Sequence, residues 1–143
     1  MERRTERSAS SSEGRGPFVA TLVWETFADP ERQWVDDDGV EHVRGQASTG
    51  TVTGDLAFTT SNMFNSDWDS TTELDQVFGS YIFASDEETW EGHFAGRMTA
   101  EGSDGSWDGK SDRGRGLAGT FTQVGEGAYR CEWYLLGLEE GAR

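Results

Sequence analysis

Cysteine, lysine, proline and long apolar runs are all scarce in this chain, and each scarcity removes a class of protein. The one cysteine, Cys131, excludes an internal disulfide and any cysteine-rich zinc site. Two prolines set against nineteen glycines argue against long helices, because glycine costs about 1 kcal/mol per helical position relative to alanine. No apolar run approaches the roughly 18 residues of a membrane-spanning helix. Arg3 and Arg4 are followed by no hydrophobic region, so an export signal is not expected and the cytoplasm is the expected location.

Lysine is the sharpest deficit. Twenty-seven acids face eleven arginines and the single Lys110, for a formal charge of −15. Such a surface repels phosphate backbones and anionic lipid, so neither nucleic acid nor membrane is expected as a partner. An acidic, lysine-poor surface suits a halophile, where concentrated salt screens self-repulsion over about 3 Å. An ordinary acidic protein is the alternative.

Aliphatic residues are few, and fourteen phenylalanines and tryptophans supply the bulk of the core. Each aromatic ring buries about 150–250 Å². At 143 residues the chain is one domain. Residues 1–16 hold no large apolar residue beyond Met1 and are expected to form a disordered tail, with the folded domain over 17–137 and a C-terminal tail over 138–143.

Within the domain, glycine and aromatic residues share alternate positions. From Thr89 one set reads Trp90, Gly92, Phe94, Gly96, Met98, and the intervening set Glu91, His93, Ala95, Arg97, Thr99 is mostly polar. Side chains on a strand alternate between faces, so this is a strand with one aromatic-and-glycine face. The same register recurs in Phe18, Ala20, Leu22, Trp24; in Val77, Gly79, Tyr81, Phe83; in Trp107, Gly109, Ser111; in Leu117, Gly119, Phe121, Gln123; and in Tyr129, Cys131, Trp133, Leu135. With strands over 40–47 and 50–60, eight strands joined by short turns predict an all-β fold: a single eight-stranded antiparallel up-and-down β-barrel. A two-sheet sandwich is the rival. Asp36-Asp37-Asp38-Gly39 reads as a tight turn rather than a calcium loop. Residues 61–72 are the longest irregular stretch and are expected to fold over a barrel mouth.

The segments Thr53-Gly54-Asp55-Leu56, Trp90 to Gly96 and Gly114 to Phe121 resemble small prokaryotic barrels, many of them uncharacterised, related to allene oxide cyclase. The resemblance implies a calycin-like barrel, frequently oligomeric, with an apolar lumen. Its motifs are structural glycines, and it transfers no catalytic residue.

The candidate ligand-facing residues are those of the inward register: Tyr81, Trp90, Phe94, Trp107, Gln123, Tyr129, Cys131 and Trp133. Tyr81, Gln123 and Tyr129 are the groups expected to orient an apolar or aromatic ligand. No pair of carboxylates is expected on that face. His93 falls on the outward set, Cys131 lacks the positive neighbour a nucleophile needs, and no metal or cofactor is expected. The alternation of Asn65, Asp67, Asp69, Thr71, Glu73 and Asp75 reads as one solvated strand face, since the glycine and glutamate of a calcium loop are missing. Outward Phe78, Ile82, Ala84, Tyr134 and Leu136 predict a homo-oligomer. Three functions follow: a small-molecule binding barrel, a cofactor-independent cyclase or isomerase acting in the lumen, or a filled barrel serving as an assembly unit.

Overall fold

A computed structural model describes residues 15–136. Both expected tails lie outside the described residues, apart from Arg15 and Gly16, which already belong to the first strand. The elements are β1 (Arg15–Phe27), β2 (Arg32–Val35), β3 (Val40–Gly54), β4 (Phe58–Asp69), β5 (Leu74–Ala84), β6 (Thr89–Thr99), β7 (Gly102–Ser111), β8 (Gly116–Gly125) and β9 (Ala128–Leu136).

Each of β3 to β8 pairs antiparallel with the next, and β1 pairs with β9 on one side and β3 on the other. The sheet therefore closes on itself, as an eight-stranded antiparallel barrel, and the sandwich alternative is excluded. β2 is an extra strand outside this ring. It pairs with the first residues of β3, where β1 no longer reaches, and all four of its residues are exposed.

The count of eight was expected, but two of its members were drawn wrongly. Residues 40–47 and 50–60 do not form two strands. Val40 to Gly54 is one, and the chain reverses at residues 55–57, where Asp55 accepts the Val19 amide at 2.9 Å. Residues 61–72 are not a loop over the mouth either, because β4 runs to Asp69. The physical reason lies on the inner face of β4. Thr60, Asn62 and Ser66 point inward and are buried, so the strand has no apolar alternation to announce it.

The inward register of the other strands is as expected. Trp90, Trp133, Tyr81 and Phe83 are each at most 1 % exposed. Their rings meet edge-on or tilted: Phe83 and Trp133 lie 5.4 Å apart, Tyr81 and Trp107 5.2 Å, and Trp107 and Phe121 5.0 Å. Burying a side chain of this size stabilises the fold by about 1.5–3 kcal/mol. Glycines opposite the rings make the room: a Cβ on Gly109 would stand 2.4 Å from the Tyr81 hydroxyl. That hydroxyl donates to the Asp108 carbonyl at 2.9 Å.

Candidate functional site

The barrel has two ends. One is ringed by the turns at 55–57, 85–88 and 112–115, and the other by those at 70–73, 100–101 and 126–127. All eight inward residues singled out by the sequence lie between them. Tyr81, Trp90, Phe94, Trp107, Cys131 and Trp133 are buried against one another, while Gln123 and Tyr129 are half-buried near the second end. The space left beside this core is a well of about 40 Å³, lined mainly by Trp24, Phe64, Val77, Met98, Phe121 and Tyr129. Burial pushes the Cys131 thiol up to about 12 and raises the Tyr81 phenol. Neither is poised for nucleophilic or proton-transfer chemistry.

The first end is a depression of about 580 Å³ floored by Val52, Phe58, Trp90 and Leu135. Arg115 spans its wall. The guanidinium donates to both carboxylate oxygens of Glu88, Nε at 2.9 Å and Nη2 at 2.5 Å, and stacks over the Trp90 ring at 5.3 Å. Burial works to raise the Glu88 carboxyl, but the hydrogen bonds from Arg115 and Ser111, with the Arg115 charge, outweigh it and hold the group below its usual value. With both charges matched, this end has a locked ion pair and no free polar anchor among those groups.

The second end is built differently. A groove of about 280 Å³ is lined by Trp68, Glu73, Asp75, Met98, Thr99, Ala100 and Gln123. Met98 also lines the apolar well, so its side chain stands between groove and well. Asp75 precedes Val77 by two positions and shares its inward face. One of its carboxylate oxygens, Oδ1, is sealed from solvent with no hydrogen-bond partner among the described residues. Burial, and then the negative charges of Asp67 and Glu41, push this carboxyl up to about 6.

Glu41 is the register partner of Trp68, which in turn pairs with Asp75. Two carboxylates therefore do share the inward register at this end, contrary to the sequence-based expectation. A bulge between Val43 and Gln46 is the reason. It inserts one residue into β3, so that alternation counted from Val52 places Glu41 on the wrong face. Asp75, in turn, is not on the solvated face with Asn65, Asp67 and Asp69. Those three lie outward on β4, and the turn at 70–73 separates them from Asp75 on β5.

Just outside the same end, His42 is clasped between Asp67 (Nδ1 to Oδ1, 2.6 Å) and Asp36 (Nε2 to Oδ2, 2.8 Å) and stacked on Trp34. Its hydrogen bonds to Asp36 and Asp67 raise its pKa. His93 is exposed on the outer face, as expected. Phe78, Ile82 and Tyr134 are exposed there too, and Met63 joins the first two across β4 and β5.

No protein-family model matches the chain, and no curated protein matches it significantly. The class it belongs to is thus defined by its architecture, a closed eight-stranded antiparallel barrel with one extra strand outside.

Proposed function

We propose that the chain is a small-molecule-binding barrel that takes an apolar or aromatic ligand at the Asp75 end rather than in the middle of the lumen. One observation carries this reading: the 280 Å³ groove and the apolar well share Met98 in their walls. Small-molecule sites are concave and mostly apolar, with a few polar groups that fix orientation. Here Trp68, Met98 and Tyr129 supply the apolar contact, and Gln123 and Asp75 the orienting groups. Kinship with the allene-oxide-cyclase-like barrels belongs to the same proposal and is supported by the shared closed barrel and its glycine-rich segments.

A cyclase or isomerase would use the same site, with Asp75 as its acid or base, because a carboxyl titrating near 6 is placed for proton transfer close to neutral pH. The assembly reading is favoured by a different feature, the filled lumen together with the Met63, Phe78 and Ile82 patch on the outer wall. A salt-adapted setting for the protein is supported by the −15 charge and the single lysine.

Native mass spectrometry of the freshly purified protein separates these readings. A ligand-sized adduct on a single chain, lost when Met98→Trp fills the well, is the expected result. Bare homo-oligomers whose stoichiometry is unchanged by Met98→Trp would replace binding with assembly.

A further inference from the structure

The charged side chains that line the groove are carboxylates, Glu73 and Asp75, and its other polar side chains are neutral. Asp75 is one of the lining residues, and its Oδ1 has no hydrogen-bond partner among the described residues. Gln123 spends one Nε2 hydrogen on the Gly125 carbonyl at 3.1 Å, which leaves its second N–H and its amide oxygen, an acceptor with two lone pairs. The Thr99 hydroxyl is engaged with Glu101 and the Gly102 carbonyl at 3.1 and 3.3 Å. Glu73 adds a carboxylate at the rim, Glu41 stands one strand away beside Trp68, and among the described residues no lysine, arginine or histidine lines the groove. A ligand that satisfies the carboxylate must bring a donor.

Its other walls say what the donor is attached to. The Trp68 ring forms one side, and a cation is held against the face of tryptophan better than against any other aromatic side chain. Below Met98, the well of about 40 Å³ has room for the end of a short hydrocarbon chain. The chain's net charge of −15 concentrates cations around it.

From this arrangement we infer that the groove binds a primary organic ammonium carrying a short apolar chain. The ammonium sits on Asp75 and the Gln123 oxygen, and the chain lies along Trp68 and enters the well past Met98. The inference rests on the small-molecule-binding reading above and names the ligand's chemical class. The carboxyl's shift to about 6, caused first by burial, leaves it ionised and uncompensated at neutral pH, the condition a bound cation relieves.

The test is a calorimetric titration near pH 7.5, at fixed salt, of n-hexylamine hydrochloride and of n-hexanol. It compares the unmodified protein with Asp75→Asn, Asp75→Ser and Glu87→Gln. Glu87, at the opposite end, reports diffuse attraction to the acidic surface. The ammonium is expected to bind the unmodified protein and Glu87→Gln at least about tenfold more tightly than the alcohol. Whichever Asp75 variant gives a native thermal transition is expected to lose that preference while still binding the alcohol. Equal affinities in the unmodified protein, or a preference that survives the loss of the carboxylate, overturn the ammonium assignment and leave the binding barrel standing. Binding of neither compound to any variant overturns both.

Discussion

Trp133 lies over Gly119, its register partner on the neighbouring strand, so closely that a Cβ on the glycine would fall 2.4 Å from the ring's Cδ1 and 2.1 Å from the Glu132 carbonyl oxygen. The second contact is with backbone, which cannot swing aside. Gly119→Ala is therefore expected to destabilise the barrel by about 1–3 kcal/mol, in the range of core overpacking. Gly125→Ala, whose new Cβ would meet only Ala128 at 3.9 Å, is expected to stay within about 0.5 kcal/mol of the parent. Urea unfolding of the two variants checks the contrast.

The Glu88–Arg115 pair offers a second test. Glu88 is 6 % exposed, and removing its partner strands a buried carboxylate. Arg115→Ala should cost about 3–5 kcal/mol, whereas replacing both residues with Leu and Met should cost far less. Because the Glu88 carboxyl is held below its usual value, its contribution is present above the ordinary glutamate range and is lost as pH falls through the lowered one. The gap between parent and Arg115→Ala should accordingly narrow in acid.

These two relationships also mark how far the sequence could be read. Gly119 and Trp133 sit in strands whose inward residues are apolar, so period-two alternation located the core from Thr89 onward correctly. β4 escaped because its inward residues are Thr60, Asn62, Phe64, Ser66 and Trp68, a polar-rich set indistinguishable from a loop. β2 escaped because all of its residues are exposed. At the candidate site, Gln123 and Tyr129 were legible as inward polar groups, and Met98 as an inward apolar one. Asp75 was hidden by an unrecognised turn, and Glu41 by a bulge that no composition rule reveals.

His42 should make stability depend on pH with the opposite sense to Glu88. Its hydrogen bonds to Asp36 and Asp67 raise its pKa above the ordinary 6.5. The stabilisation is complete below the unfolded value and disappears as pH rises through the folded one. The melting temperature of His42→Gln should fall further below that of the parent at about pH 6 than at about pH 9.

Asp75 carries a penalty rather than a benefit. Its carboxyl titrates at about 6 in the fold against 3.8 ordinarily, so the ionised form is disfavoured by folding. Asp75→Asn should match the parent's stability below pH 4, gain on it between 4 and 6, and hold a constant advantage above. Thermal melts across that range check the profile. A gain in stability from removing a groove carboxylate is what a site kept for binding would show.

The most direct test of the binding site uses the methionine methyl groups. The chain has three methionines, of which Met98 lies between groove and well while Met63 sits on the outer wall. In a ¹³C-methyl NMR titration of the protein with small apolar and aromatic compounds, the Met98 methyl should shift saturably and the Met63 methyl should stay in place. Shifts confined to Met63, or no saturable shift at Met98 with any compound, would contradict a ligand site at the Asp75 end.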